Sequence, residues 1–564
     1  MIVQVLSILN GTKKNNNVSH ETKKVTTYVV AFCVKIEQYL KVGMWVRMRK
    51  EEKSNLKLML QALIVGLIAG TVVGLFRFGI EKTSAFWLYL FKQAHKNSAW
   101  FIAIVIGLAA VGIIAGYFVK QYPHVGGSGI PEVKLQLQGK LQLKWWQILW
   151  RKLIGGILVI GTGLFLGPEG PSLQLGSSIG QGLGEKLKQN KYNQRVLLAT
   201  GAASGLSAAF GAPLSGALFV LEEIFHNFSP RVWMNALVGA IAANFMVSNF
   251  FGIHPALALP YKHAFPLGLY WHLIILGVIL GLLGHFYKKG LFGLKKVYLK
   301  ITWLPRWLHG LIPLAILVPI MYYWPLITGP GNRLILSMPT MLTKTGWALV
   351  GILAFYYVMR IAFSIVSYDS GLPSGIFLPI LTMGALVGAA YGMLMVQLGL
   401  MPAHLVINLV IFSMAGYFAA IIRAPFTAII LITEMVGSLL HLMPLAVVAF
   451  IALLVDQVLG GKPIYDSLAN AMMPATKTET VAGEEDELDI PVYENSKLVD
   501  QEIKSIAWPD NVLVRTIRRG SQEIIPHGDT VIAAGDLLVL GVDHNQRAAA
   551  YDAIRKLQDV ELDG

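Results

Sequence analysis

Cysteine is almost absent from this sequence of 564 residues, in which Cys33 is the single example. A lone cysteine excludes a disulfide within the chain and a metal cluster held by several thiolates. We find no other grouping of metal ligands and no nucleophile beside a base. Gly161-Thr162-Gly163 lies inside an apolar run and is a poor nucleotide fingerprint. We therefore expect no metal, no cofactor and no enzymatic activity.

Acidic residues are scarce over most of the chain. Of 32 Asp and Glu residues, only 10 lie in 54–476, whereas 18 lie in 477–564. The long segment contains uncharged runs such as Leu58–Phe76 and Ala99–Val119, each sufficient to cross a hydrocarbon core of about 30 Å. The sequence thus predicts an all-α polytopic membrane domain, in which each acidic residue is expected to have a structural or functional role.

The shift from apolar to acidic composition divides the chain. The predicted parts are an N-terminal tail (1–53), the membrane domain (54–475), an acidic linker (476–487), a small soluble α/β domain (488–557) and a final tail (558–564).

Basic residues such as Arg47 and Lys57 crowd the start of the first apolar run. By the positive-inside rule we expect the N-terminus in the cytoplasm. We expect a multi-pass protein of a bacterial plasma membrane, in contact with lipid, with its C-terminus also in the cytoplasm. Basic charge here reflects topology, and we expect no nucleic-acid partner. Residues 1–43 lack the apolar core of a signal peptide. We expect them to be a non-native extension, with Met44 or Met48 as the natural start.

Gly, Pro and Ser repeatedly interrupt the apolar runs, and two interruptions match each other. Gly167, Pro171, Gly176 and Gly180 recur as Gly375, Pro379, Gly384 and Gly388, at an offset of 208. Ala212-Pro213 and Glu222 recur as Ala424-Pro425 and Glu434, at an offset of 212. These ordered matches predict a duplication in which Glu222 and Glu434 share a structural role. A duplicated membrane domain with broken helices is typical of transporters whose site lies between the repeats, which are either parallel or inverted.

The interruptions indicate the charge of the solute. A helix N-terminus exposes unpaired N–H groups and the positive end of the macrodipole, so several aimed at one cavity attract an anion. Ser128 and Tyr465 can each add a hydroxyl donor. A cation site would need converging carboxylates or carbonyl groups, and the few scattered acids do not offer them.

Four segments together resemble the anion-site segments of the CLC family of chloride channels and chloride/proton exchangers. They are Gly127-Ser128-Gly129-Ile130-Pro131-Glu132, Gly167-Pro168-Glu169-Gly170-Pro171, Gly375-Ile376-Phe377-Leu378-Pro379 and Gly460–Tyr465. They occur in the family's order and near its spacing, over about 54–475. The resemblance implies a homodimer with one pathway per subunit and inverted repeats within each subunit.

The resemblance also implies roles for individual residues. Ser128 and Tyr465 are expected to donate hydroxyl groups to the central anion, and Ile376 and Phe377 to donate backbone amides. Glu169 corresponds to the external gating glutamate, and its alternative is a simple helix cap. Chloride is the implied anion, because Ser128 is retained.

Glu223 distinguishes an exchanger from a channel. It corresponds to the internal proton glutamate of family exchangers, a position that is usually apolar in the channels. The alternative is an interfacial acid in contact with water. We therefore expect coupled exchange of chloride against protons. A passive chloride channel is the alternative.

Two further positions bear on the pathway. Pro168 replaces the Lys or Arg that many relatives carry beside the gating glutamate, and its loss should weaken attraction of anions to the outer mouth. Lys152 is predicted either near the conduction path or at the membrane interface.

The soluble domain has its own pattern. Strands are predicted at Leu488–Val492, Val512–Ile517, Glu523–Ile525 and Leu537–Gly541, and helices at Lys497–Ile506 and Asn545–Leu557. The segments Arg518–Pro526 and Ala534–Leu537 resemble the C-terminal subdomain of RCK regulatory modules, whose relatives dimerise and in some cases bind cyclic di-AMP.

A nucleotide is the candidate ligand of this domain. Its phosphates are predicted to meet Arg518, Arg519 and His527, and its base to meet Ile524, Ile525 and Pro526. The alternative is a dimerisation module without a ligand. A cation transporter with an RCK-type sensor is a further alternative, supported only by this domain.

Overall fold

The computed structural model describes residues 50–226, 228–252, 256–260, 263–344, 346–472, 485–519, 522–543 and 546–558. The expectations for residues 1–43, for the start at Met44 or Met48, and for most of the linker and the final tail lie outside these residues.

The described part of 50–472 is helical. Its α-helices are α1 (Lys50–Ala94), α2 (Trp100–Gln121), α3 (Ile130–Leu137), α4 (Trp145–Gly161), α5 (Glu169–Lys186), α6 (Lys191–Phe210), α7 (Pro213–Phe219), α8 (Pro230–Phe251), α9 (Trp271–Lys300), α10 (Leu311–Tyr323), α11 (Asn332–Met341), α12 (Trp347–Asp369), α13 (Phe377–Gln397), α14 (Val406–Ile422), α15 (Pro425–Val436), α16 (Leu442–Val458) and α17 (Ile464–Asn470). A π-helical turn, Val220–Phe225, continues α7. Short 3₁₀ turns are Pro123–Val125, Leu267–Leu269, Arg306–Leu308, Pro325–Ile327 and Ala403–Leu405.

Among the described residues, eight helical stretches are long and apolar enough to cross a membrane. Their burial differs strongly. The most apolar window of α12 is 22% buried, whereas that of α13 is 89% buried. Because apolar surface needs no cover in lipid, α12 fits a lipid-facing position and α13 a position inside the protein.

The matched glycines lie at the closest helix contacts of the two halves. A Cβ atom on Gly176 or Gly180 would collide with the backbone of α6, near Gly205 and Leu197 respectively. A Cβ atom on Gly384 would lie 2.5 Å from the carbonyl oxygen of Ser413 in α14. The same spacing of small residues thus packs α5 on α6 and α13 on α14, as the duplication predicts.

Glu222 and Glu434 make reciprocal caps between the halves. Glu222 accepts hydrogen bonds from the backbone and hydroxyl of Thr427 at the start of α15, at 2.8 and 2.6 Å. Glu434 accepts from the backbone and hydroxyl of Ser215 at the start of α7, at 2.8 and 2.5 Å. Each carboxylate satisfies free N–H groups at the positive end of a helix. The predicted shared structural role is confirmed.

The C-terminal domain is a four-stranded antiparallel sheet with one helix. Its elements are β1 (Glu485–Pro491), β2 (Val512–Arg519), β3 (Gln522–Ile524), β4 (Leu537–Asp543) and α18 (Arg547–Gln558), and the strand order is β1-β4-β2-β3. Its core includes Leu488, Ile490, Leu538 and Ile554. The four predicted strands and the final helix are confirmed.

The helix predicted at Lys497–Ile506 is wrong. Asp500 has a φ of 60°, and only the 3₁₀ turn Ile503–Ser505 is helical there. The backbone instead pairs with residues 528–532, where the amide of Ile503 donates to Thr530 at 3.0 Å. The tertiary pairing overrides the local helical pattern, because the paired arrangement also buries Leu498 in the core of the domain.

The C-terminal domain lies against α3, α6 and the π-helical turn. Arg195 of α6 forms a buried ion pair with Asp486 and donates to the carbonyl oxygen of Glu487 at 3.2 Å. Lys140, just after α3, pairs with Asp552 of α18 at 2.8 Å. A small cavity at this contact is lined on the membrane-domain side by Ile224 and other residues that follow Glu223.

Candidate anion and proton site

Three interrupted segments are joined by backbone hydrogen bonds. Gly167 and Gly375 each donate an amide to the other's carbonyl oxygen, at 2.7 and 2.8 Å. Gly127 donates to Leu372 at 3.1 Å, and Ser374 donates back to Gly127 at 3.0 Å. Since α3, α5 and α13 begin directly after these loops, the positive ends of the three helices are held close together.

Glu169 lies at the centre of this arrangement. It is the first residue of α5, and its side chain is buried, with only 2% of the residue exposed. Its Oε2 accepts a hydrogen bond from the amide of Leu378, in the first turn of α13, at 3.3 Å. The carboxylate therefore lies where backbone donors of a second helix can hold a negative charge.

The predicted hydroxyl donors are buried. Ser128 is 1% exposed, and its Oγ accepts from the amide of Ile130 at 3.3 Å. The hydroxyl of Tyr465 is fully buried and has no hydrogen-bond partner among the described residues. It lies within electrostatic reach of Glu169, Glu223 and Tyr368. A buried hydroxyl without a protein partner can donate a hydrogen bond to a water or to a bound solute.

The amides of Ile376 and Phe377 are at the start of α13. Both residues are fully buried, and no described residue accepts a hydrogen bond from either amide. The ring of Phe377 packs against Phe219, with centroids 5.4 Å apart, and Phe219 packs against Tyr465 at 6.2 Å. These rings place the start of α17 beside the start of α13.

Steric constraints explain the glycines and prolines of the site. Gly127 and Gly129 have φ values of 58° and 83°, a region that favours glycine. A Cβ atom on Gly167 would collide with the Glu169 carboxylate, and one on Gly170 would lie 2.8 Å from Ser128. The prolines occupy first turns of helices, where no intrahelical N–H bond is lost. They are Pro131, Pro171 and Pro379.

Lys152 is fully buried, which does not fit the expectation of a lysine at the membrane interface; its position near the conduction path stays a prediction. Its ammonium donates to the carbonyl oxygens of Val125, Gly126 and Gly127, at 2.9, 3.3 and 2.7 Å. It thereby fixes the loop that carries Ser128, with the carbonyl groups turned to the lysine.

Glu223 is buried in the π-helical turn and is 3% exposed. Lys134 of α3 donates to its carbonyl oxygen at 2.7 Å and lies 3.3 Å from its Oε1. The same ammonium forms an ion pair with Asp466 of α17. The alternative of a water-exposed interfacial acid does not fit a side chain so enclosed.

A cavity of about 380 Å³ is lined in part by Glu169 and Pro168. Arg77 and Arg333 both line it. Arg77 donates to the carbonyl oxygen of Ala208 at 2.9 Å and is within electrostatic reach of Glu169. Arginines of α1 and α11 thus bring positive charge to this cavity, although Pro168 carries no charge.

Sequence reasoning missed the roles of Lys134 and Asp456. Asp456 of α16 is fully buried and pairs with Lys288 at 2.6 Å. Lys288 also donates to the carbonyl oxygen of Lys462 at 3.1 Å, which anchors the segment leading to Tyr465. The scarcity of charge was the available signal, because every buried acid or lysine in an apolar domain requires a partner.

The predicted nucleotide residues lie together at the β2–β3 hairpin and the loop after it. Arg518 pairs with Glu523 at 2.7 Å, and Arg519 pairs with Asp536 at 2.8 Å. Ile524 is partly buried against the domain core, whereas Ile525 is 77% exposed. Pro526 and His527 follow in the loop, where the amide of His527 donates to Thr530 at 2.8 Å.

Known families match both parts of the chain. The family described as "Voltage gated chloride channel" matches residues 111–457, and the TrkA-C domain matches residues 488–555. The chain belongs to the voltage gated chloride channel family. It is a membrane transport protein and not an enzyme. The predicted CLC-like fold and the RCK-type C-terminal domain are confirmed.

Curated members of this chloride channel family resemble most of the membrane domain. The H(+)/Cl(-) exchange transporter ClcA of Klebsiella pneumoniae (strain 342) is 32% identical over 451 residues, covering 77% of this chain and 93% of the relative. The protein of the same name from Salmonella paratyphi B (strain ATCC BAA-1250 / SPB7) is 31% identical over 452 residues, with the same coverage.

Solved structures of the family agree in fold. A slow cyanobacterial Cl-/H+ antiporter has a TM-score of 0.68 and 29% identity, covering 73% of this chain and 97% of its own. A CLC-type fluoride/proton antiporter has a TM-score of 0.61 and 23% identity, covering 74% and 98%. The second likeness concerns the fold alone.

Proposed function

We propose that this protein exchanges chloride for protons across the membrane. The observation that carries the proposal is the Glu169 carboxylate, which accepts the Leu378 amide at the start of α13. A carboxylate held by helix-terminal N–H groups occupies a position suited to a halide. The similar ClcA proteins are named as H(+)/Cl(-) exchange transporters, which supports the same activity here.

Chloride would be held by neutral donors. The hydroxyls of Ser128 and Tyr465 and the amides of Ile376 and Phe377 are the proposed ligands. The buried, unpartnered Tyr465 hydroxyl supports this set, because an anion would supply its missing acceptor. Donors without full charge bind the ion firmly enough to select it while allowing release.

Glu169 would act as the gate. When ionised, its carboxylate competes with chloride for the same donors. When protonated, it loses most of that attraction and leaves the position free. One group thereby excludes the anion and carries the proton, which is the simplest way to couple the two fluxes.

Glu223 would pass protons to and from the inner side. Its carboxyl lies beside charged partners of α3 and α17, whereas the Glu169 carboxyl is held by an amide of α13. A separate inner route would let protons reach Glu169 without following the inner part of the anion path, so that the two ions share only the gate. A passive channel has no need for this buried acid.

Purified protein in liposomes is expected to move protons against their gradient when only a chloride gradient is imposed. The measurement is a pH electrode or a trapped pH dye, with a proton ionophore as the control that collapses the signal. Chloride flux without proton movement would support the passive channel instead. Potassium or sodium flux without chloride flux would support the cation transporter with an RCK-type sensor.

The assembly and orientation follow from family and charge. We propose a homodimer with one pathway in each subunit, two inverted repeats per subunit, and both termini in the cytoplasm of a bacterial cell. The reciprocal bonds of Gly167 with Gly375 support a local two-fold relation between the repeats. The basic residues before the first span support the orientation.

A cytoplasmic nucleotide would regulate transport through the C-terminal domain. The proposed contacts are Arg518, Arg519 and His527 for phosphates, and Ile524, Ile525 and Pro526 for a base such as adenine. The exposed Ile525 offers apolar surface just after the strand that pairs with Arg518 and Arg519. Both arginines are paired with acids, so a phosphate would have to displace Glu523 or Asp536. The TrkA-C match supports a regulatory domain, and cyclic di-AMP is the first ligand to test.

Titrating cyclic di-AMP into the purified full chain is expected to release or absorb heat by calorimetry. Arg518→Gln is expected to weaken this binding at least tenfold, because a charge-assisted hydrogen bond to phosphate contributes about 1.5–3 kcal/mol. Lys497→Gln, on the same domain outside the proposed site, is the matched control. No heat with cyclic di-AMP or ATP would leave a dimerisation domain without a nucleotide.

A further inference from the structure

Lys134 is a fully buried lysine between two acids. Its ammonium donates to the main-chain carbonyl oxygen of Glu223 at 2.7 Å and lies 3.3 Å from the Glu223 carboxylate. It also pairs with Asp466 of α17, whose side chain is 38% exposed. One cation therefore links the proposed proton carrier to a second acid that reaches solvent.

The other charges near Glu223 do not replace this cation. Glu222, its neighbour, is occupied in capping α15 through Phe426 and Thr427. His226 follows in the same turn, with a φ of 50°. The charged groups that act on Glu223 from packed elements are Lys134 of α3 and Asp466 of α17.

We propose that Lys134 sets the proton affinity of Glu223 by dividing its charge between Glu223 and Asp466. This inference rests on the proposed role of Glu223 in proton transfer, and Lys134 is a positioning residue in it. With Glu223 ionised, the ammonium faces two carboxylates. With Glu223 protonated, it remains paired with Asp466.

The arrangement avoids an unpaired buried charge in both states. A buried ammonium that lost its only partner would cost several kcal/mol, which would oppose each protonation of Glu223. Asp466 removes that cost by keeping the ammonium paired. Conversely, without Lys134 two carboxylates would face each other with no cation, and the first proton would be held more tightly.

The sharpest test is the protonation of Glu223 itself. A difference infrared titration of purified protein follows the band of the protonated carboxyl, which is assigned by its loss in Glu223→Gln. Lys134→Met is expected to move the midpoint of that band upward by about one pH unit or more. Asp466→Asn is expected to move it downward, because it leaves the ammonium to Glu223 alone. Lys134→Arg keeps the cation and is expected to stay near the wild-type midpoint.

The same directions are expected in liposomes, where the pH dependence of proton-coupled chloride flux should shift upward in Lys134→Met and downward in Asp466→Asn. In a Glu223→Gln background, where the proposed proton transfer is lost, adding Lys134→Met should not shift the pH dependence of the remaining chloride flux. A purely structural role for Lys134 would lower the amount of folded protein without these opposite shifts.

An unchanged midpoint in Lys134→Met, or equal shifts in both variants, would overturn the inference. If Lys134→Met does not fold, the downward shift in Asp466→Asn decides alone. If wild-type protein moves no protons in liposomes, the proposed exchange fails, while the infrared titration still decides the effect of Lys134 on Glu223.

Discussion

Replacing Glu169 with glutamine is expected to reduce proton movement driven by a chloride gradient to background, while chloride flux persists. Glutamine has nearly the same shape, so it fits beside the Leu378 amide without a steric change. It carries no charge and exchanges no proton. The gate would then stay in its neutral form, and chloride would cross without the step that transfers a proton.

The measurement is paired recording of proton and chloride movement in liposomes. Glu185→Gln is the matched control, because Glu185 lies on the same helix, α5, and is exposed. We expect that control to keep full coupling. Uphill proton movement in Glu169→Gln at more than a tenth of the wild-type rate would remove Glu169 from the coupling step.

Replacing Lys152 with methionine is expected to cost about 3 kcal/mol or more in the free energy of unfolding. The ammonium is the donor for three carbonyl groups in the loop before Ser128. Methionine leaves those of Val125 and Gly126 without this donor, whereas that of Gly127 keeps the Ser374 amide. A buried acceptor without a partner costs about 1–3 kcal/mol. Removal of the charge also leaves the buried Glu132 without the stronger of the two cations that act on it, the other being Lys295.

The same change is expected to weaken chloride binding more than tenfold, because released carbonyl groups can turn toward the anion and repel it. Calorimetry with chloride and thermal unfolding with and without chloride measure the two effects. Lys92→Met, at an exposed position in the last turn of α1, is the matched control. Normal chloride affinity in folded Lys152→Met would restrict the lysine to a structural role.

The parts of the site that repeat along the chain could be predicted from the sequence. Fixed spacing between glycines and helix starts is visible in one sequence, since it expresses local backbone needs. The shared role of Glu222 and Glu434 followed from their equivalent positions, and the reciprocal caps confirm it. The roles proposed for Glu169 and Glu223 in transport stay predictions.

The parts that depend on side chains meeting across the fold could not be predicted. Lys134 and Asp466 are far apart in sequence, and only the packing of α3 on α17 brings them together. The helix predicted after β1 was wrong for a similar reason. Leu498 and Ile503 fit a helical pattern, but in the structure they lie in a loop that pairs with residues 528–532. Periodicity reports which face is buried and does not report what covers it.

The mutual bonds between Gly167 and Gly375 have a mechanical consequence. Because both amides are used, the two halves cannot slide apart at this level without breaking both bonds at once. We therefore expect the two halves to stay joined at these loops in the middle of the proposed pathway. The transport cycle would then proceed by rotation of side chains and small adjustments at the two ends of the pathway. Rocking of one half against the other, as in transporters with a hinge at the midplane, would have to break both of these bonds.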